Sequence, residues 1–255
     1  KDQSGKIVSD GTYYYELRSI DEAGNSFILP RQQIIVDATQ KNASFKVEPI
    51  AFSPNDDGVK DLIYLNVNAP KPDTLLSYSL SIFAGSKTTG GQAPVRSWKG
   101  KTDIKSQYVW DGMTDAGLKV PDGYYSAYLA LEYANGDIFN FEPIQILVDT
   151  VPPKISISAD PLLFSPNGDG IKDTVTITQE SEPGDDWSGR IRSASGATVR
   201  SYSWKGQAKS FTWDGTDLNG KLVPNGAYSY EVVSVDVAGN SASASIKGIT
   251  VDATK

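Results

Sequence analysis

The sequence AFSPNDDGVKD at residues 51–61 returns as LFSPNGDGIKD at residues 163–173, with an offset of 163 minus 51, or 112 residues. Further along the chain, VWDG at 109–112 returns as TWDG at 212–215, and VPDGYY at 120–125 returns as VPNGAY at 223–228. A unit of about one hundred residues is typical of a β-sandwich domain. The sequence therefore predicts two copies of one such unit.

The first residues carry only the closing half of the same unit. VSDGTY at 8–13, AGNS at 23–26 and IVDAT at 35–39 match the later closing signatures, which end in LVDT at 147–150 and TVDAT at 250–254. We therefore predict three segments: residues 1–40 as the closing half of a preceding repeat, and residues 41–150 and 151–255 as complete repeats. The half repeat lacks strands to cover its apolar face, so we expect it to pack on the next repeat or on another molecule.

The composition favours β-structure. The chain has 13 Tyr, 8 Phe and 5 Trp, alternating runs such as VTIT at 175–178 recur, and no sustained helical periodicity is present. Together with the repeat length, this predicts an all-β chain of tandem immunoglobulin-like or fibronectin-III-like antiparallel β-sandwiches.

Charge and residue usage exclude several classes of function. The net charge is −7 and no basic cluster is present, which argues against nucleic acid and anionic membranes as partners. No apolar stretch reaches the 18 residues or so of a membrane helix. The opening residues KDQSG do not form a signal peptide, so we expect the sequence to start inside a longer protein.

The chain has no Cys and no His, which removes the usual nucleophile, proton shuttle and transition-metal ligand. We therefore expect no enzyme. A paired carboxylate at Asp185 and Asp186 could in principle hydrolyse glycosides, but its surroundings, EPGDD at 182–186, indicate an exposed loop. Catalysis is therefore a weaker prediction than a structural repeat or a carbohydrate-binding module.

The three copies align on Gly11, Gly123 and Gly226, and this alignment predicts core positions. It places Tyr13, Tyr125 and Tyr228 in register, followed four residues later by Leu17, Leu129 and Val232. Even spacing puts these residues on one face of a sheet. We expect each Tyr ring to be buried with its hydroxyl group bonded to nearby backbone, and a hairpin turn at 23–25, 135–136 and 238–240.

The phrase FSPNGDGIKD, followed by WDGTD and GKLVPNGAY, resembles the immunoglobulin-like domain of the flagellar hook-capping protein. It also resembles the C-terminal domains of gliding-motility-associated surface proteins, and the similarity covers residues 45 to 255. The resemblance implies a β-sandwich module of large secreted, surface or periplasmic proteins, often in tandem, where it serves as spacer, stalk or adhesion scaffold. A fold shared so widely does not fix a ligand.

The acidic loop can be aligned with a calcium loop, because oxygen-bearing side chains recur at alternate positions. The candidate structural calcium ligands are Asn55, Asp57 and Asp61 in the first copy and Asn167, Asp169 and Asp173 in the second. The alignment fails at both ends: position 1 is Ser53 or Ser165, and position 12 is Tyr64 or Thr176, where a carboxylate is expected. Asp111 and Asp115, or Asp214 and Asp217, could complete the two half-sites.

The alternative is that the same residues form a tight connection. Pro fixes one dihedral angle, Asn and Asp bond backbone amides, and Gly adopts positive φ. The sequence favours this turn over a bound calcium ion, and it implies no other cofactor.

Five tryptophans leave open a carbohydrate-binding function. Trp110 and Trp213 each open a strand-to-turn signature, which favours a place in the core. Trp98 and Trp204 share the phrase SWKG, which predicts a strand end with a half-buried ring and an exposed Lys, and Trp187 is not assigned.

The leading functional prediction is a non-catalytic structural and adhesive repeat of a large bacterial protein, acting as stalk or interaction scaffold. The expected location is extracellular, at the cell surface or periplasmic. The expected partner is a protein or cell surface, with no nucleic acid and no membrane insertion, and the half repeat is a candidate for self-association. The alternative is a carbohydrate-binding module using exposed Trp and Tyr.

Overall fold

The computed structural model describes residue 2, residues 4–86 and residues 91–254. Lys1 and Gln3 of the predicted half repeat, and Lys255, lie outside the described residues. The chain forms two compact units: one comprises residues up to Glu48, Tyr64–Val120 and Tyr124–Ile146, and the other Pro49–Ile63, Pro121–Gly123 and residues from Leu147 on. The repeat limits at residues 40 and 150 stay a prediction of the sequence.

Nineteen strands are assigned in the described residues, with one short 3-10 helix at Pro72–Thr74. The all-β prediction is therefore confirmed. None of the described residues belongs to a helix with the length and apolar character required to cross a membrane.

The half repeat folds as a β-hairpin. Strand β1 (Gly11–Ile20) pairs antiparallel with β2 (Ser26–Val36) around the turn at residues 21–25. Among the described strands these two form a sheet of their own. Almost every side chain in the hairpin is exposed.

The next repeat contains a three-stranded sheet in the order β3-β5-β8 and a six-stranded sheet in the order β4-β11-β9-β6-β7, with β10 paired to β9. The pairs β3–β5, β6–β7, β6–β9 and β9–β10 are antiparallel, whereas β11 and β4 run parallel over two residues. The strand bounds are β3 Ser44–Glu48, β4 Ala51–Phe52, β5 Ile63–Asn68, β6 Leu75–Ala84, β7 Arg96–Gly100, β8 Gln107–Trp110, β9 Gly123–Tyr133, β10 Ile138–Asn140 and β11 Ile144–Val148.

The last repeat has the same arrangement in a slightly simpler form. Its sheets have the orders β12-β14-β17 and β13-β19-β18-β15-β16, with a parallel pair between β13 and β19. The strand bounds are β12 Ile155–Asp160, β13 Leu163–Phe164, β14 Val175–Ser181, β15 Trp187–Ser193, β16 Thr198–Trp204, β17 Phe211–Trp213, β18 Gly226–Val235 and β19 Ser241–Val251. The repeat predicted from sequence therefore recurs as a repeat of strand order.

The core of the last repeat draws on both of its sheets. Val175 and Ile177 of β14 join Tyr230 and Val232 of β18 in one buried cluster, while Thr176 between the two β14 residues is exposed. The alternation has a simple cause, because successive side chains of a strand point to opposite faces. The strand pattern of the sequence therefore selects the buried face correctly.

The aligned core positions are confirmed in the complete repeats and only partly in the half repeat. Tyr125, Tyr228, Leu129 and Val232 are all buried. In the hairpin, Tyr13 is half-buried. The hydroxyl groups of Tyr13 and Tyr228 donate to the carbonyl oxygens of Ser9 and Pro224, at 2.8 Å and 2.7 Å, as the sequence predicts.

The prediction that Leu17 is a core residue is wrong. Its side chain is 58% exposed, although its β1–β2 register partner is another apolar residue, Leu29. Burial of this face in the complete repeats requires a second sheet, and the hairpin has none among the described strands.

Candidate functional site

The first acidic loop, residues 53–61, lies in the second compact unit and is organised by one carboxylate. Asp61 accepts backbone N–H groups through both oxygens: Oδ1 accepts from Asn55 and Asp56 at 3.2 Å and 2.7 Å, and Oδ2 accepts from Gly58 at 2.8 Å. Asp57 Oδ1 accepts from the amide of Val59 at 2.7 Å. The loop is thus closed by its own carboxylates.

The second acidic loop, residues 165–173, repeats this geometry. Asp173 accepts from the amides of Gly168 and Gly170, both at 2.8 Å, and Asp169 Oδ1 accepts from the amide of Ile171 at 2.8 Å. Asn167 Oδ1 accepts from the Asp169 amide at 3.0 Å, as Asn55 does from Asp57 in the first loop. Six sequence-predicted residues therefore come together as two triplets.

These bonds are those expected of a tight connection, since Asn and Asp side chains in turns accept local amides. Among the described residues, no group of three or more His, Cys, Asp or Glu side chains is arranged to hold a metal ion. Calcium at these loops stays a prediction of the sequence.

Three of the four carboxylates proposed to complete the calcium sites bond within their own segments, and Asp115 bonds a residue of β7. Asp111 and Asp214 accept the amides of Met113 and Thr216, and Asp115 accepts the hydroxyl of Ser97 at 3.0 Å. Asp217 accepts the amides of Asn219 and Lys221 at 2.8 Å and 2.9 Å. The amides of Lys221 and Asn219 lower the pKa of Asp217. Asp111, Asp214 and Asp217 therefore stabilise turns, whereas Asp115 joins its segment to β7.

A feature that the sequence did not predict is the partner of the first acidic loop. Ser53 Oγ bonds the amide oxygen of Asn240 at 2.6 Å, and Lys60 Nζ donates to the carbonyl of Val237 at 2.7 Å. Asn240 Nδ2 also donates to the carbonyl of Asp149 at 2.8 Å. All five residues lie in the second compact unit.

The fit of this loop against the turn at 236–240 depends on a glycine. A Cβ added to Gly239 would stand 3.0 Å from Val59 Cγ1 and 3.3 Å from Lys60 Cδ, so a side chain there would press on these two side chains of the loop. Gly239 also has φ of 102°, which favours glycine. The only sequence signal for this contact is the recurrence of Ala-Gly-Asn at 23–25 and 238–240.

A second group of polar residues lies in the first compact unit, where the half repeat ends. Lys41 forms ion pairs with Asp37 and Asp137 at 2.8 Å and 2.9 Å, and Lys71 with Asp37 and Asp10 at 2.6 Å and 3.1 Å. The Lys41 side chain is almost fully buried. A buried ammonium needs such partners, because desolvation alone would disfavour its charge.

The pKa shifts of this cluster follow from those bonds. Burial opposes the charge of Lys41, but its bonds to Asp37 and Asp137 outweigh burial, so the pKa of Lys41 is raised. Bonds from Lys41 and Lys71 lower the pKa of Asp37. Bonds from Thr39, Ala38 and Lys71 hold the pKa of Asp10 far below its usual range. The cluster is therefore fully charged near neutral pH.

The structure assigns the tryptophans as the sequence predicts. Trp110 and Trp213 are buried, and their indole N–H groups donate to the carbonyls of Met113 and Thr216 at 2.9 Å and 2.8 Å. Trp187, which the sequence left unassigned, is also in the core.

Trp98 and Trp204 are half-buried at the edge strands β7 and β16, each followed by an exposed Lys. The Trp204 ring stacks on Tyr202 with centroids 5.8 Å apart, and the Arg96 guanidinium lies 5.2 Å from the Trp98 ring centroid. These are the two tryptophan rings that remain accessible to a carbohydrate ligand.

The carboxylates of Asp185 and Asp186 precede β15 and have different surroundings. Asp186 is exposed and accepts the Gly206 amide at 3.0 Å. Asp185 is half-buried rather than exposed, and its pKa is raised by burial and by the negative charges of Asp236 and Asp149. The predicted exposed loop at 182–186 is thus confirmed except at Asp185.

A family model described as the FlgD Ig-like domain matches residues 168–237. This match confirms the resemblance to the hook-capping immunoglobulin-like domain for a part of the last repeat. No curated protein matches the chain.

Several solved structures are similar to the chain in fold. The tetra-tandem repeat of the extending region of a large adhesion protein is 17% identical, with 96% of this chain and 57% of that chain covered and a TM-score of 0.33. The fibronectin(III)-like modules of Clostridium thermocellum CbhA are 13% identical, with 83% and 95% covered and a TM-score of 0.44. A structure from a 1.5-MDa bacterial ice-binding adhesin is 14% identical, with 85% and 66% covered and a TM-score of 0.37. This chain thus spans little more than half of the first of these structures, and at such identities likeness concerns the fold alone.

Proposed function

We propose that this chain is a non-catalytic structural and adhesive repeat module of a large bacterial surface, secreted or periplasmic protein, in which it serves as stalk or interaction scaffold. The observation that carries the proposal is a clamp that occurs three times. The residue before each turn glycine bonds the end of its own repeat: Asp10 accepts the Ala38 amide at 2.7 Å.

The same clamp closes both complete repeats. Asp122 accepts the Thr150 amide at 3.1 Å, and Asn225 Oδ1 accepts the Ala253 amide at 2.9 Å. The segment after each closing strand is therefore fixed to the sandwich that it leaves. A module that transmits position along a chain needs its exit segment to be fixed in this way, whereas a freely jointed linker would not hold a direction.

Small-angle X-ray scattering of the dilute chain tests the stalk. A compact chain of 255 residues should have a radius of gyration of about 18 Å. We expect a value well above this and unchanged by dilution. A value near that of the compact chain would contradict a stalk function.

The gliding-motility resemblance and the extracytoplasmic location are part of this proposal. Fractionation of cells that produce the full-length parent protein tests the location. Recovery of the protein in the cytoplasm would contradict it. The proposed partner is a protein or a cell surface.

A carbohydrate-binding module is the second candidate, and the half-buried rings of Trp98 and Trp204 at edge strands are the observation that favours it. Exposed aromatic rings can bury the apolar face of a sugar. Binding on a glycan array that is lost in Trp98→Ala or Trp204→Ala would establish this function, and an array without signal would rule it out.

Structural calcium at Asn55, Asp57 and Asp61, and at Asn167, Asp169 and Asp173, is also kept as a proposal. Its ligands would be the hard oxygens that calcium prefers. Titration of the chelator-treated chain with calcium tests it. Heat of binding and a raised melting temperature would support the site, and the absence of both would show that the loop is a turn without calcium.

A further inference from the structure

The second acidic loop, residues 165–173, has the same backbone conformation as the first, but it lacks the contact with a turn that the first loop makes. Ser165 N donates to the Lys172 carbonyl at 2.8 Å, as Ser53 N does to the Lys60 carbonyl at 3.0 Å. Lys172 and Lys60 have nearly equal positive φ, 54° and 51°. The loop at 165–173 is therefore already in the conformation in which the loop at 53–61 contacts the turn at 236–240.

Burial shows the difference between the loops. Ser53 is 1% exposed beneath Asn240, whereas Ser165 is only half-buried. Ile171, which occupies the position of Val59, is 70% exposed. The second loop thus presents the surface that the first loop uses for contact.

The complementary surface is also present in the chain, at the turn of the half repeat. The amides of Ala23 and Asn25 bond Asp21 Oδ1 at 3.0 Å and 2.8 Å, and Asn25 Nδ2 bonds Asp21 Oδ2 at 2.8 Å. Asp236 receives the same side-chain bond from Asn240 at 2.8 Å, and Gly24 has positive φ like Gly239.

This turn is exposed throughout. Residues 21–25 are all exposed, whereas Ala238, Gly239 and Asn240 of the matching turn are buried. The two turns therefore share the bonds between their Asp and Asn residues and differ in what covers them.

We propose that the loop at 165–173 of one copy of this chain binds the turn at 21–25 of a second copy, in the manner in which the loop at 53–61 holds the turn at 236–240. By correspondence, Ser165 bonds the side-chain oxygen of Asn25, and Lys172 donates to the carbonyl of Glu22. Ile171 packs against Gly24, which has no side chain to obstruct it.

The contact is head-to-tail, because the loop and the turn belong to different repeats of the chain. Such heterologous contacts leave one free loop and one free turn at every stage, so they add copies in an open series. The self-association predicted for the half repeat thereby has a defined surface, and it does not depend on the proposed stalk function.

The association is weak, because one loop and one turn bury far less than the ~1,200 Å² of a stable interface. Each copy carries a net charge of −7, so copies repel one another and added salt strengthens the contact. High protein concentration and moderate salt are the conditions for detection.

Cysteine crosslinking tests the contact, because the chain has no cysteine of its own. Chains with Ser165→Cys and with Asn25→Cys are mixed at high concentration and treated with a short bismaleimide. The matched control replaces Ser165→Cys with Ser195→Cys, at an exposed serine of the same repeat that lies outside the loop. A single chain with Lys60→Cys and Val237→Cys, which replace two exposed residues that meet across the existing contact, shows that the reagent spans it.

We expect several-fold more covalent dimer from the Ser165→Cys mixture than from the Ser195→Cys mixture. Adding Lys172→Met to the Ser165→Cys chain should reduce the yield to the control value, and Lys172→Arg should preserve it. Equal yields from the two mixtures would overturn the proposal.

The amide chemical shifts of the unmodified chain provide a second test, which does not depend on whether a variant folds. On concentration, we expect shift changes confined to residues 21–25 and 165–173. Spectra that do not change with concentration would overturn the proposal as well.

Discussion

The hairpin of the half repeat and the closing hairpin of the last repeat have the same local design and very different burial. In β18, alternate residues from Tyr228 to Ser234 are buried, whereas in β1 only Tyr13 is even half-buried. Both hairpins retain their pairing, their turn and the hydrogen bond from the Tyr hydroxyl to backbone. The closing half of a repeat therefore forms its hairpin by itself, whereas burial of the hairpin's side chains depends on the opening half.

Matched substitutions at aligned leucines give the largest expected difference between these regions. Leu129→Ala should destabilise its repeat by about 2–5 kcal/mol, because it removes a fully buried side chain and leaves a cavity. Leu17→Ala should change stability by less than about 0.5 kcal/mol, because Leu17 lies on the surface. Urea denaturation followed by fluorescence measures both. Equal losses would show that the hairpin is buried in solution.

The aligned asparagines Asn240 and Asn25 give the next difference. Asn240→Ala removes the bonds to Ser53 and to the carbonyl of Asp149 at a buried position, which should cost about 1–3 kcal/mol. Asn25→Ala removes only a bond to Asp21 at an exposed turn and should cost clearly less. Thermal denaturation of both variants provides the comparison. A larger loss for Asn25→Ala would refute the assignment of the buried contact to Asn240.

The aligned tyrosines test the bond that both regions share. Tyr228→Phe removes the donor to the Pro224 carbonyl in a partly buried setting and should cost about 0.5–1.5 kcal/mol. Tyr13→Phe removes the same donor where water can replace it, so its effect should be smaller. The midpoint of denaturant unfolding, at an unchanged slope of the unfolding free energy against denaturant concentration, measures the cost of each substitution. Equal costs would indicate that the hairpin shields its bond from water.

Low pH gives the smallest expected effect, and it is confined to the ion pairs at the end of the half repeat. The pKa values of Asp37 and Asp10 are lowered by their bonds to Lys41, Lys71 and Thr39. A carboxyl with a lowered folded pKa stabilises the fold above its unfolded pKa of about 3.9, and this stability is lost as pH falls below that value.

We therefore expect pepsin to cut the hairpin much faster at pH 2 than at pH 4, relative to a pepsin-sensitive control peptide. The variant Lys71→Met should remove part of this difference. Sensitivity that follows the control peptide at both values would show that the ion pairs do not hold the hairpin.

Much of the fold was predictable because the signals were local. Turn glycines, alternating strands and the repeated Trp-Asp-Gly phrase predicted the all-β repeat, the buried Trp110 and Trp213 and the closing turns. Leu17 was mispredicted because its strand has the core pattern, and pattern alone does not show whether a second sheet covers a face.

For a related reason, the sequence identified the residues of the acidic loops but not their role. Their residues indicated either calcium or a tight connection, and both interpretations use the same oxygens. The backbone bonds of Asp61 and Asp173 depend on where the chain folds back, and the contact of Ser53 with Asn240 joins residues 187 positions apart. No local pattern encodes such a separation.

The sequence by itself determined the all-β class, the repeated unit, the turns and the absence of Cys and His chemistry, because these follow from residue type and short-range spacing. The tertiary structure alone decided which closing hairpin is covered, which acidic loop has a partner and where Lys41 finds two carboxylates. Those outcomes depend on long-range packing, in which identical local segments meet different neighbours.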